Sequence, residues 1–361
     1  MPRTGDAEAR IDRKSAPAVV SFPKVELHVH LEATPRLTTL RRLADEAGRE
    51  IPKKLDPDSD DSHEFESLAD FIEALSGINR LFSTPQVYGL VLYEYLQTLA
   101  EQSVVYAEIR YSPARPVLDR GMDLGELMAE LGQSKERGEA DFGIKSGLIL
   151  SLSRNRGADV CTRLVEEAVA MADGNLAGFD ISDDERKWPA HLFRSTFDLI
   201  DKSGFPATVH AGETVGPESV WEAIDLPGTR RIGHALSVYR DVELMKRLRQ
   251  DGIHLELCPT SNLRTNQISR LEDHPIRTYV KAGLSVSVNS DDPIAFGTDV
   301  TKEYALLTDV YGLGMDDIEN VTLNAAEAAF ASDDVRQDLR QRIADGYEAI
   351  RNVERQGAAA L

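Results

Sequence analysis

His28 and His30 are separated by a single valine in the stretch KVELHVHLEATP, residues 24–35. In an extended chain successive side chains alternate between faces, so Val25, Leu27 and Val29 point one way while Glu26, His28 and His30 point the other. Further along, His210 precedes Glu213 in TVHAGE, His234 closes RIGH, and Asp291 is followed by Asp292 in SVNSDDP. Three neutral imidazoles and a carboxylate suit a borderline divalent ion, most often zinc. Such an ion lowers the pKa of water toward ~7, so the chemistry expected of the set is hydrolysis.

These residues need a scaffold that brings them together. Short β-rich runs recur along the chain: VELHVH (25–30), VVYAEIRYS (104–112), IKSGLILSLS (144–153), LAGFDIS (176–182), PATVHAG (206–212), RRIGHALS (230–237), IHLELCP (253–259) and LSVSVNSD (284–291). Between them lie helical patterns such as ADVCTRLVEEAVAMAD (158–173), with apolar residues at three- and four-residue intervals. Strands alternating with helices imply a parallel sheet, and eight such units imply an α/β (β/α)8 barrel. No G-x-G-x-x-G follows the first strand, which removes the best support for an open dinucleotide-binding sheet.

Barrel active sites form at the C-terminal strand ends. His28 and His30 end the first run, His210 and Glu213 the fifth, His234 the sixth, and Asp291 and Asp292 the eighth. Desolvating so many imidazoles and carboxylates at one mouth is costly unless a cation or substrate is shared. His63, His191 and His274 fall in loop- or helix-like sequence and His254 near its strand's start, so they are left out of the site.

About 70 residues separate the first two strands, far more than an ordinary crossover needs. Residues 36–100 are read as a helical insertion after strand 1, a lid over the mouth. Leu68, Phe71 and Ile72 share one helical face with Leu75, and the first three are candidate substrate contacts. Residues 301–355 are helical in pattern and supply extra C-terminal helices. Residues 1–20 read as a flexible tail, 21–355 as a single catalytic domain and 356–361 as a C-terminal tail.

Asp plus Glu number 61 against 41 Lys plus Arg, a net charge of −20 that argues against nucleic acid and anionic membrane as partners. Two cysteines, Cys161 and Cys258, are too few for a disulfide scaffold and fit reduced thiols in a cytoplasmic protein. The first twenty residues are charged, without the apolar core of a secretory signal, and no run of about 18 apolar residues could span a membrane. A small-molecule partner is expected, and the composition leaves room for a homo-oligomer.

The ordered set PKVELHVHLE (23–32), YAEIRYSP (106–113), GFDISDDE (178–185), TVHAGE (208–213), RIGH (231–234), LELCPTSN (255–262) and SVNSDDP (287–293) resembles the adenosine deaminase family of the metal-dependent amidohydrolase superfamily. The resemblance implies that His28, His30, His210 and Asp291 hold one zinc ion per subunit. It implies that Glu213 protonates purine N1, that His234 orients the attacking water and takes its proton, and that Asp292 partners N7. The implied reaction replaces a 6-amino group by a 6-oxo group and releases ammonia. Neither a metal ligand nor the acid has been lost, as would be expected of a non-catalytic purine-binding relative. A second metal held by a carbamylated lysine is not expected either, since the fourth strand ends without a lysine.

Two departures touch substrate recognition. Leu31-Glu32-Ala33 stands where the family usually has Leu-Asp-Gly or Leu-Glu-Gly, and in adenosine-specific relatives the acid at position 32, usually Asp, contacts the ribose 5′-hydroxyl. Asp183 stands where relatives usually have a glycine whose N–H contacts purine N3. Adenosine or 2′-deoxyadenosine ranks first as substrate; adenine, or a 5′-modified adenosine such as aminodeoxyfutalosine, is the alternative.

Overall fold

Eight parallel strands form one sheet in sequence order: β1 (Lys24–His30), β2 (Val104–Tyr111), β3 (Lys145–Ser153), β4 (Leu176–Ser182), β5 (Ala207–Ala211), β6 (Thr229–His234), β7 (His254–Leu257) and β8 (Val286–Val288). All eight lie within or overlap the runs read from the sequence. The computed structural model describes residues 19–359. The tail expected over residues 1–20 therefore lies outside the described residues up to position 18, and Val19 and Val20 are helical.

Closure is made by the site residues themselves. β8 has only three residues, and beyond it Asp291 bridges Val29: His30 N–H donates to the Asp291 carbonyl at 2.9 Å and Asp291 N–H to the His28 carbonyl at 3.0 Å. Where β8 is too short to reach, side chains accept from the N–H groups of β1, Asn289 Oδ1 from Leu27 at 2.9 Å and the Tyr304 hydroxyl from Val25 at 3.3 Å. The buried backbone of β1 is thereby satisfied without a full strand partner.

The helices are α1 (Leu37–Ala47), α2 (Leu68–Asn79), α3 (Pro85–Glu101), α4 (Leu124–Phe142), α5 (Ala158–Ala170), α6 (Arg194–Lys202), α7 (Pro217–Ile224), α8 (Val242–Asp251), α9 (Pro259–Arg264), α10 (Ile276–Lys281), α11 (Pro293–Phe296), α12 (Val300–Asp309), α13 (Met315–Ala328) and α14 (Asp333–Ala359). Their ends follow local chemistry: Asp123, Asp241 and Asp299 cap α4, α8 and α12, and Gly143 and Gly252 close α4 and α8 in the left-handed region. α13 packs on β1, β7 and β8 and covers the seam, while α14 runs to Ala359, into the segment expected as a tail. None of these helices is long and apolar enough to cross a membrane.

The segment 36–100 divides into two parts with different work. α3 buries Val91, Leu92, Leu96 and Leu99 and packs against α4 and β2, which makes it the ordinary crossover helix into β2. α2 lies over the mouth, its N-terminus capped by Ser67, and Phe71 stacks 4.8 Å from Phe296 just after the β8 end. Phe65 meets both rings edge-on, at 5.4 and 6.0 Å. Apolar periodicity alone does not separate a mouth-covering helix from a barrel helix, because both bury one face.

Candidate active site

A cavity of about 340 Å³ opens at the C-terminal ends of the strands. His30, His210, His234, Glu213, Asp291, Asp292, Glu32 and Asp183 line it, with Leu68, Phe71 and Ile72 of α2 forming an apolar wall. His28 lies fully buried beneath them, its ring centroid 4.5 Å from that of His210, 5.0 Å from His234 and 5.5 Å from His30. Every residue singled out in the sequence therefore stands in or directly under one cavity.

The donor set fits a divalent metal. Ligand atoms of His28, His30 and His210 lie within 4.8 Å of one another, and Asp291 Oδ1 stands 3.4 Å from His28 Nε2 and 3.5 Å from His30 Nε2. His28 Nε2 is buried without a hydrogen-bond partner among the described residues, a costly state that a bound cation would relieve. Burial pushes the Asp291 carboxyl up, but the His28 ring 3.4 Å away outweighs this and holds it well below the usual range. Burial lowers His30 to about 3, so that ring stays neutral and able to ligate.

The rings are aimed from behind. His28 Nδ1 meets Glu256 Oε2 at 2.8 Å and His210 Nδ1 meets Asp180 Oδ1 at 2.9 Å, which leaves both Nε2 atoms facing the cavity. Arg110, fully buried, pairs with Glu256 and lies 3.4 Å from Asp180, and Arg231 Nε is 2.7 Å from Glu256 Oε1. Gly233 provides the room for His28, since a Cβ there would come within 2.8 Å of its Cε1. Sequence reading missed Asp180, Glu256 and Arg110; the signal was a charge in the middle of each apolar strand, in GFDIS, HLEL and EIRY.

Three cavity residues hold left-handed backbone: Asp183 at φ 77°, His234 at 61° and Asp291 at 61°. Such conformations cost about 1–3 kcal/mol in non-glycine residues and collect at functional sites. At Asp183 the angle explains why glycine suits this position, and its carboxylate is tied to the Ser153 hydroxyl. Glu32 accepts the Ser112 N–H at 2.9 Å, and burial raises its carboxyl to about 7.

Glu213 Oε2 and Asp291 Oδ2 each lie 3.9 Å from His234 Nε2. Burial, then the charges of Asp291 and Glu185, push the Glu213 carboxyl well above its usual range. Burial likewise drives His234 well below its usual value, so it is a neutral ring. Asn262 Nδ2 lies 3.3 Å from His234 Nδ1 and anchors the ring from behind, while Nε2 faces Glu213 and Asp291. Burial and the Asp291 charge raise Asp292 well above the usual range. The cavity thus brings a carboxyl pushed toward its protonated form, a neutral imidazole and a cluster of candidate ligands together, a set of groups able to add water to a substrate atom.

The excluded histidines have other work. His254 bonds Ser285 and Ser287, at 2.8 and 2.9 Å, and His63 Nδ1 meets the Ala295 carbonyl at 2.8 Å. His191 pairs with Glu222 on the surface, and His274 is buried with its Nδ1 accepting from Ile276 N–H.

The comparisons agree with this geometry. The family model for adenosine deaminase matches residues 23–346. The adenosine deaminase of Enterococcus faecalis is 30% identical over 332 residues, covering 91% of this chain and 98% of that protein. The crystal structure of adenine deaminase from Arthrobacter aurescens superposes with a TM-score of 0.83 at 27% identity, covering 90% of this chain and 98% of the other. A zinc-bound amidohydrolase from Burkholderia ambifaria gives 0.85 at 25% identity, with 94% of each chain covered. The chain belongs to the adenosine deaminase family, as an enzyme that removes an amino group by hydrolysis.

Proposed function

We propose that the protein deaminates the 6-amino group of an adenine-containing nucleoside, adenosine or 2′-deoxyadenosine, with one zinc ion held by His28, His30, His210 and Asp291. The observation that carries this reading is Glu213, a buried carboxyl kept protonated beside a neutral His234 at the edge of the ligand cluster. Bound zinc supplies Lewis-acid chemistry and makes hydroxide accessible at neutral pH.

The protein's own groups do the rest. Attack at C6 breaks the conjugation of the purine ring, so N1 must take a proton as the tetrahedral centre forms, and Glu213 is the donor. His234 Nε2 accepts the proton of the attacking water and aligns it. Asp292, held in its neutral form, donates to N7, and the Asp183 N–H meets N3. His234 passes the proton it took to the departing amino group, which leaves C6 as ammonia, and the remaining hydroxyl proton returns to Glu213 as the 6-oxo product forms. Leu68, Phe71 and Ile72 cover the base and exclude water. Glu32 and Asp183, with Ser112 and Asn155 on the same cavity wall, offer polar partners for ribose hydroxyls.

A second reading, adenine as substrate, is favoured by the likeness to the Arthrobacter enzyme. An ultraviolet screen of adenosine, 2′-deoxyadenosine, adenine, 5′-methylthioadenosine and aminodeoxyfutalosine separates the two. The expected result is loss of the 6-amino group with the highest kcat/KM on an unmodified nucleoside. A preference for adenine installs the second reading, and a panel in which nothing reacts removes both.

A further inference from the structure

Glu213 sits in the loop after β5, and the segment around it is tied down by one buried side chain. Glu185, on the turn after β4, accepts at both carboxylate oxygens. Oε2 takes the Gly212 N–H at 2.8 Å and the Ser219 hydroxyl. Oε1 takes the Thr214 N–H at 2.6 Å, the Val215 N–H at 3.0 Å and the Thr214 hydroxyl at 3.2 Å. Backbone donors on either side of Glu213, from residues 212 and 214, thus converge on a single group. The loop has no slack at Gly212, where φ is +69° and a Cβ would come within 2.6 Å of Val220 and 2.7 Å of Ser237 Oγ.

The Glu213 carboxyl itself makes no hydrogen bond among the described residues, and His234 Nε2 stands 3.9 Å away. A side chain without a partner of its own is aimed by its backbone. We infer that Glu185 is a positioning residue for Glu213, fixing the loop so that the acid points at the atom to be protonated. This rests on the reading of Glu213 as the proton donor. The negative charge of Glu185 is also one cause of the raised Glu213 carboxyl, so the same residue keeps the proton in place. An amide cannot substitute for it: with its NH2 at either oxygen position, at least one backbone N–H faces a donor and is left unbonded.

The test uses the full-length, zinc-loaded protein and whichever panel substrate reacts best. Glu185→Gln, Ser219→Ala and Glu213→Gln, with each of the first two also combined with Glu213→Gln, are compared in kcat, KM, zinc content and thermal midpoint. A misaimed acid costs up to ~10²-fold, so Glu185→Gln is expected to lower kcat by about 10- to 100-fold with KM and zinc content retained. On the Glu213→Gln background the same substitution is expected to cost less than about threefold, because aiming a group that no longer donates has no effect. If Glu185→Gln does not fold, Ser219→Ala carries the comparison, with a several-fold loss expected in the parent and none on the Glu213→Gln background. Equal fold-losses in both backgrounds, or parental kcat in Glu185→Gln beside a crippled Glu213→Gln, overturn the positioning role alone. Parental kcat in Glu213→Gln overturns the acid assignment and the inference with it.

Discussion

Glu213→Gln is expected to lower kcat by ~10²–10⁴-fold while leaving zinc content and substrate KM close to those of the parent, since general acid catalysis is worth about that much. Glutamine keeps the shape and a hydrogen-bond donor but has no proton to release to N1. The pH profile should carry the same signature. Burial, with the charges of Asp291 and Glu185, holds the Glu213 carboxyl protonated well above the usual carboxylate range. The donating form is therefore full at neutral pH, and the rate falls as pH rises through that raised pKa. His234 is pushed the other way by burial, so its neutral form persists below neutral pH and contributes no loss of rate there. Any decline on acidification around pH 6–7 is assigned to water at the metal, whose pKa the ion brings toward ~7, and not to His234.

The second large effect is on the metal. Asp291→Asn removes the carboxylate shared by His28 and His30, and is expected to abolish both stoichiometric zinc and activity. Chelation of the parent should do the same reversibly. It should also lower the thermal midpoint by about 4 °C, the shift expected when a ligand present at ~100 times its Kd is lost from a domain of this size. Asp180→Asn is the graded probe: it loosens His210 from behind while Arg110 keeps Glu256 as partner, so zinc affinity should fall by ~10- to 100-fold with the fold intact. Inductively coupled plasma measurement of bound zinc, with a competing chelator for affinity, reads all three. Full zinc retention in Asp291→Asn would remove that residue from the ligand set.

The barrel and the ring of reactive side chains were legible because both rest on short-range rules. Alternation within KVELHVH put His28 and His30 on one face, and the strand–helix rhythm put their C-terminal ends in a ring with His210, His234 and Asp291. The carboxylates that aim the rings were hidden for a physical reason. β4 and β7 are buried on both faces, so the direction of Asp180 and Glu256 cannot be read from polarity alternation. Glu185 was hidden differently: its five donors come from the loop after β5 and the first turn of α7, 27 to 34 positions further along, and only tertiary structure brings them together. The division of residues 36–100 into a mouth helix and a crossover helix also depended on packing, since α2 and α3 carry similar apolar faces. Asp183 could be marked as a departure from glycine, but its left-handed backbone explains why glycine is usual there.

Water attack at C6 with loss of the 6-amino group is the central claim, and isotope incorporation tests it most directly. The zinc-loaded protein is incubated with adenosine in ¹⁸O-enriched water, and ammonia and the purine product are quantified together. One ¹⁸O atom at C6 for each ammonia released is the predicted result. Inert adenosine together with an inert remainder of the substrate panel, or amino loss without ¹⁸O in the purine, would contradict the account.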